Sequence, residues 1–348
     1  MAVCLGDPEH GYYTTREPFG QGGDFITSPE ISQIFGELIG LWAVATWEAM
    51  GSPARFVLAE LGPGRGTLMA DALRAARVRP QFLAAATVAL VEISPRLRVA
   101  QAEAIAPLGI EPVWRDRVDD LPGGPLIVIA NEFFDALPVR QIVRTADGWA
   151  ERMVGLGEKG DLVFGLRPVT SPAPHPNPLP AGGERGGTTA DDALPEGSIV
   201  ELRPAADAIV ATLAARIARD GGAALLIDYG YAEPGAGDTL QALYRQLYDS
   251  ALSHPGEADL TAHVDFAALA RGATTAGAVA YPVTTQGEFL GLLGIADRVR
   301  ALAAGKSAEE QQAIGVAAHR LVHPDAMGSL FKVLAIGAPG LALPGFET

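Results

Sequence analysis

Hydrophobic residues fall along this chain in two patterns. Between 30 and 50, Ile31, Ile34, Phe35, Leu38, Ile39 and Trp42 recur at the three-and-four spacing of one helix face, and Gly51-Ser52-Pro53 closes the run. That spacing predicts a single helix of about five turns. From 55 onward the apolar residues instead form short continuous runs separated by turn residues. The runs 55–61, 87–93, 111–114, 125–131 and 223–229 read as strands buried on both faces, and 328–337 reads as a last strand. A helix is expected over 67–77, and another opens at Ser94-Pro95, where serine caps and proline suits the first turn. Strands alternating with helices predict a doubly wound, Rossmann-like α/β fold, with a parallel sheet covered on both sides.

The excursion between the fourth and fifth strands has another texture. Residues 139–169 alternate apolar and polar positions around Asp147-Gly148 and Lys159-Gly160-Asp161, which predicts antiparallel hairpins. The stretch 171–187 is rich in Pro and Gly with little to bury, as in a surface loop. The expected organisation is therefore an N-terminal helical or lid segment over 1–54 and a core from 55–138 and 220–337. An inserted β-rich element, 139–219, includes the 171–187 loop.

Composition narrows the function. A formal charge of −15 leaves no evident basic face for a general nucleic-acid binder, and it suits a basic partner such as an arginine-bearing peptide. The single cysteine, Cys4, excludes an intramolecular disulfide and a cysteine-rich zinc site. No apolar run reaches the roughly 18–20 residues of a membrane span. The N-terminus lacks the basic start and long apolar stretch of a signal peptide. The expectation is a cytoplasmic protein with no membrane insertion and no metal.

The chemistry concentrates after the first strand, in Glu60-Leu-Gly62-Pro63-Gly64-Arg-Gly66-Thr67. Glycines between a strand and a helix let the backbone turn sharply and approach a ligand closely, and the helix start offers free N–H groups. No Gly-Lys-Ser/Thr follows, so the turn is not a P-loop. A dinucleotide turn is G-x-G-x-x-G, whereas this one is G-x-G-x-G. Glu60 would repel a pyrophosphate and attract the sulfonium and ammonium of S-adenosylmethionine. Glu92 ends the second strand, where an acid accepts the ribose hydroxyls of either an NAD or an S-adenosylmethionine. Asp116 is placed to reach the adenine amine, with Arg115, Arg117 and Asp119 offering neighbouring registers. An NAD-dependent oxidoreductase is the rival reading, disfavoured by Glu60 and by the glycine spacing.

The fourth strand ends in Asn131-Glu-Phe-Phe-Asp-Ala-Leu-Pro138, at the sheet edge where ligands of doubly wound folds sit. Methyl transfer to nitrogen needs orientation and proton handling, and Asn131, Glu132 and Asp135 are the candidates for both. Phe133 and Phe134 would stack on a planar cation, or else belong to the core. Asp228, closing the fifth strand, would wall the substrate pocket, or else make a turn. His263 reads as structural, since no other residues around it have zinc-site spacing.

Taken with Gly11-Tyr-Tyr13, Gly23-Asp-Phe-Ile-Thr-Ser-Pro-Glu30 and Asp259-Leu-Thr-Ala-His-Val-Asp-Phe266, these blocks resemble the MidA-like methyltransferase family, in the same order along the chain. The resemblance implies a class I methyltransferase core with S-adenosylmethionine held around Gly62, Pro63, Gly64, Gly66 and Glu92, and with Tyr13 and 27–30 closing over the site. Mitochondrial relatives are complex I assembly factors that methylate an arginine of a complex I subunit. The resemblance thus implies a protein-arginine methyltransferase, or else an assembly factor that retains the methyl-donor pocket without catalysis. Family members usually carry a further helical segment before Gly6, 240–248 departs from their basic, histidine-bearing segment, and 171–187 reads as an addition.

Overall fold

A strand buried along its whole length, as β1 (Phe56–Leu61) is, belongs in the middle of a sheet sandwiched between helices. The computed structural model describes residues 1–15, 27–169 and 194–346. It pairs β1 in parallel with β2 (Ala86–Val91), β2 with β3 (Val113–Arg115), and β1 on its other side with β4 (Leu126–Asn131). The chain then leaves the sheet. β5 (Arg140–Thr145), β6 (Gly148–Leu156), β7 (Leu162–Pro168) and β8 (Ile199–Leu202) build a separate antiparallel sheet in the order β7-β6-β5-β8. β9 (Gly222–Tyr231) returns to lie parallel to β4. β10 (Gln241–Tyr244), β11 (Leu247–Asp249) and β12 (Asp259–Thr261) form a third small sheet, and β13 (Val264–Asp265) pairs with the end of β9. β14 (Val279–Ala280) and β15 (Thr284–Thr285) pair antiparallel with β16 (Phe331–Gly337), itself antiparallel to β9.

The main sheet therefore runs β14-β16-β9-β4-β1-β2-β3. Its order reverses between β1 and β4, and a ligand crevice opens outside the carboxyl ends of strands at such a switch point. One face is covered by helices Gln33–Ala49 and Thr67–Ala75, the other by Pro204–Asp220 and Phe266–Thr275. This is the Rossmann-like α/β arrangement that the periodicity predicts.

Three boundaries differ from expectation. The helix predicted over 30–50 breaks at Ser32, whose extended backbone (φ −160°, ψ 134°) and side chain, accepting from the Ile34 N–H at 3.3 Å, start a new helix. The result is a short turn, Ser28–Ile31, and the long helix Gln33–Ala49. Helix Pro204–Asp220, counted with the inserted element from sequence, buries Val210, Leu213 and Ile217 in the same cluster as β4 and β9, so the inserted sheet ends at β8. The edge strand β14 is only two residues long and carries no periodic signal. The loop reading for 171–187 lies outside the described residues.

The N-terminal helices, Ala2–Gly6 and Tyr12–Thr15, pack Leu5 and Tyr12 on Ala242 and Leu260 of the small third sheet. Among the described residues no helix is long and apolar enough to cross a membrane.

Candidate functional site

The turn after β1 is built by three left-handed residues, Gly62 (φ 60°), Gly64 (φ 53°) and Gly66 (φ 83°), a region that side chains with a Cβ rarely enter. The Gly62 N–H donates to the Val91 carbonyl at 3.0 Å and the Gly66 N–H to the Pro63 carbonyl at 2.8 Å, so the turn is tied to β2 and to itself. A Cβ at Gly62 would stand 2.8 Å from Phe133 Cδ2. Gly66 serves packing instead: a Cβ there would meet the Gln101 backbone at 3.0 Å.

At the switch point lies a cavity of about 550 Å³, a size typical of cofactor and ligand sites. Gly62, Gly64, Glu92, Glu132, Phe133 and Asp135 line it, with Gly62 and Phe133 side by side in its wall. Tyr13 and Asp259 close over it from the N-terminal helices and the third sheet.

Glu92 is buried; its Oε1 accepts from the Ser94 N–H at 2.8 Å and its Oε2 from Gln101 Nε2 at 3.2 Å. Burial raises its carboxyl above the usual range, opposed by those two hydrogen bonds. With the Ile93 N–H as a further donor, the carboxylate still keeps an open lone-pair position toward the cavity it lines. Glu92→Ala should weaken S-adenosylhomocysteine binding by about 1–3 kcal/mol in a calorimetric titration, through lost charged hydrogen bonds; unchanged affinity would move the ribose elsewhere.

Gln101 was missed from sequence. Its Nε2 donates to the Gly64 carbonyl at 2.8 Å as well as to Glu92, and its Oε1 accepts from Trp114 Nε1 at 2.8 Å. One side chain thereby locks the glycine turn, Glu92 and β3 together. A signal existed: Leu97, Gln101 and Ile105 form the buried stripe of their helix, and an amide in an apolar stripe needs partners.

Directly after β4, Glu132 sits in the left-handed region (φ 50°). Its Oε1 accepts from the Ser28 N–H and from Asn131 Nδ2, both at 3.0 Å, while its Oε2 is buried with no hydrogen-bond partner. Burial, reinforced by the charges of Asp135 and Asp259, pushes its carboxyl up to about 8. Burial also raises Asp135. The Tyr13 hydroxyl donates to Asp259 Oδ1 at 2.8 Å, and burial and the neighbouring carboxylates hold that phenol well above its usual range. Asp259, from β12, was quoted in a motif without being assigned a role; only the folding of β12 over the cavity reveals it.

Several sequence candidates take other places. Glu60 is 3 % exposed and does not line the cavity. The backbone N–H of Met69 meets its carboxyl, and burial pushes it up to about 8, so it braces the turn against the following helix as a largely neutral acid below that pH. Pro63 and Gly66 shape the turn from behind the wall. Asn131 orients Glu132 rather than reaching the cavity. Phe133 lines the cavity, whereas Phe134 is core, edge-on to it at 5.3 Å between centroids. Asp116 stands exposed at the rim, ion-paired with Arg98. Asp228 is no pocket wall: it is 1 % exposed, and its Oδ2 accepts from the N–H groups of Phe134 (3.0 Å) and Asp135 (3.2 Å) and its Oδ1 from Tyr229 (2.9 Å). His263 stacks edge-on to Tyr229 at 5.4 Å, as a structural histidine would. Among the described residues no cluster of three or more His, Cys, Asp or Glu is arranged for a metal.

Comparison with known proteins bears on this geometry. A family model described as "Putative S-adenosyl-L-methionine-dependent methyltransferase" matches residues 38–284. The protein arginine methyltransferase NDUFAF7 homolog, mitochondrial, of Drosophila melanogaster is 38 % identical, over 97 % of this chain and 80 % of its own. The NDUFAF7 enzyme of Mus musculus, named in the same terms, is also 38 % identical, over 97 % and 79 %. The crystal structure of a Burkholderia thailandensis protein bound to S-adenosyl-homocysteine shares 29 % identity with a TM-score of 0.81, over 100 % of this chain and 90 % of that one. A second structure from the same organism gives 32 % and 0.80, over 99 % and 88 %. The mitochondrial names of the relatives overturn the cytoplasmic expectation.

Proposed function

The chain belongs to the S-adenosylmethionine-dependent methyltransferase family, and from that premise we propose that it methylates an arginine of a protein, with a complex I subunit the first acceptor to test. The observation that carries the acceptor is the convergence of Glu132, Asp135 and Asp259 in the cavity wall, close enough for the charges of both aspartates to act on Glu132, with Glu132 Oε2 buried and without a hydrogen-bond partner. A guanidinium keeps its charge to beyond pH 12 and presents five N–H donors in a planar fork, the complement of clustered carboxylates. The relatives' names as protein arginine methyltransferases support the same reading.

The cofactor fits beside the glycine turn. Gly62 and Gly64 leave a cradle that a Cβ at Gly62 would close against Phe133, and Glu92 supplies buried acceptors for the ribose hydroxyls. When bound, S-adenosylmethionine supplies a methyl group made electrophilic by its sulfonium. Phe133, against Gly62 in the cavity wall, sets the distance between the glycine turn and the acceptor. Asp135 and Asp259 hold the guanidinium N–H groups, and the Tyr13 hydroxyl fixes Asp259 in place. Glu132 Oε2 takes the proton that the newly methylated nitrogen sheds. The chain's own contribution is orientation and proton handling, terms worth several orders of magnitude in rate.

The test is transfer of labelled methyl from S-adenosylmethionine to arginine-bearing peptides and to isolated complex I subunits, with the product mapped by mass spectrometry. The expected result is monomethyl or dimethyl arginine. Label on lysine or on a carboxylate, or none while S-adenosylhomocysteine still binds, would overturn the arginine reading.

A further inference from the structure

The inserted sheet carries an apolar face that nothing in the described fold covers. Register pairs Val154 with Phe164 and Arg152 with Leu166, so by strand alternation Val154, Leu156, Phe164 and Leu166 share one face of the β6–β7 hairpin. Met153 and Val163 occupy the other. Exposure of these six ranges from 37 % at Met153 to 75 % at Leu156. Arg152 lies over the Phe164 ring at 5.1 Å and marks the inner limit of the face. A two-stranded ribbon with such a surface is marginal alone, and apolar patches of this kind mark interaction sites. β7 is also the outer strand of its sheet among the described residues, an edge that offers N–H and C=O groups to another strand.

The hairpin is placed relative to the cavity by topology. Leu137 and Pro138 line the cavity, and β5 begins at Arg140. β6 runs back antiparallel to β5, with Ile142 opposite Glu151, so Met153 falls across from Arg140. Counted on in the same register, Val154 to Leu156 fall level with Val139 to Leu137, where the chain leaves the cavity rim.

Resting on the arginine reading above, we propose that the β6–β7 hairpin is the docking arm for the acceptor: an extended, apolar, arginine-bearing segment of the protein substrate adds as a strand to β7 and delivers its arginine to the cavity. Two observations select this occupant. By register the exposed end of the ribbon comes level with Pro138 at the rim, beside a cavity lined by Glu132, Asp135 and Asp259, so one partner must satisfy both an apolar ribbon and an acidic pocket. The area also speaks against a stable pair of copies. The four side chains of this face expose on the order of 400 Å², whereas a stable interface takes about 800 Å² from each partner. A contact of this size suits a substrate that must leave after each turnover, and strand addition supplies main-chain hydrogen bonds without more area.

The experiment uses the full chain saturated with S-adenosylhomocysteine and two peptides with one central arginine, flanked by alternating valine and threonine or by glycine and serine. The valine–threonine peptide should bind at least tenfold more tightly, and the double variant Leu156→Asp, Phe164→Asp should abolish the difference while S-adenosylhomocysteine affinity stays unchanged. Equal binding of the two peptides, or a preference that survives the double variant, would overturn the docking arm while leaving the arginine reading intact. No binding of either peptide to the cofactor-loaded protein would sink both. Sedimentation showing a dimer that the double variant dissociates would assign the face to a second copy. Strong hydrogen-exchange protection of 154–166 in the isolated monomer would assign it to this chain itself. Either result would overturn the proposal.

Discussion

Glu132→Gln is expected to lower kcat roughly a hundred- to ten-thousandfold, the range for loss of a positioned general base, while changing S-adenosylhomocysteine affinity less than twofold. Glutamine is isosteric, and its oxygen can keep the hydrogen bonds from Ser28 and Asn131; what disappears is the second carboxylate oxygen, Oε2, buried without a hydrogen-bond partner and proposed above as the proton acceptor. The pH dependence follows from the same residue. Its carboxyl is pushed up to about 8 by burial and by Asp135 and Asp259, with Asp228 behind it also held well above its usual range by burial and by Asp135 and Glu132. Below about pH 8 the free enzyme carries Glu132 protonated, a form that neither localises a guanidinium nor accepts its proton. Wild-type kcat/KM should therefore rise with pH up to about 8 and level off above it, and the variant should lose this limb. A variant with wild-type turnover would remove Glu132 from the chemistry.

The second large effect is on stability. Asp228→Ala should destabilise the fold by about 3–5 kcal/mol, the range for removing one member of a buried, hydrogen-bonded set. Three backbone N–H groups, those of Phe134, Asp135 and Tyr229, lose their acceptor in a site that water does not reach. These donors hold the bend that carries Asp135 into the cavity, so the variant should also lose acceptor binding before it loses the cofactor. Asp228→Asn keeps one acceptor oxygen and should fall between. Urea unfolding followed by circular dichroism measures both, and a midpoint shift equivalent to less than about 0.5 kcal/mol would show that the bend stands without this carboxylate.

Much of this arrangement was readable from local pattern. The core strands and the helix opening at Ser94-Pro95 lie within a few residues of their predicted places, because apolar runs and capping residues act over neighbours in sequence. The glycine turn was legible for the same reason: a strand that must reverse into a helix within five residues needs left-handed backbone, and Gly62, Gly64 and Gly66 all adopt it. Glu92 followed from standing at the end of its strand. The family resemblance added the identity of the ligand, which periodicity alone left open between two nucleosides.

Other features had no local trace. Glu60 and Asp228 look as much like site residues as Glu132 does, since each is an acid at a strand end. Which acid faces the cavity was decided by partners far along the chain: the Ser28 N–H that holds Glu132 lies 104 residues away, and Tyr13 and Asp259 meet across 246. Ser32 breaks the predicted helix because its own side chain caps the next one, a choice that periodicity of apolar residues does not register. Gln101 earned its role only when its helix laid it between the glycine turn and Trp114.

The amino-acid order alone determined the doubly wound sheet, the glycine bend and the placing of acids at strand ends, because backbone sterics and hydrophobic periodicity act between near neighbours. Tertiary structure alone decided which carboxylates are sealed and spent on backbone donors and which remain open to a cationic guest. Burial and hydrogen-bond pairing depend on segments brought together only after the chain has closed on itself.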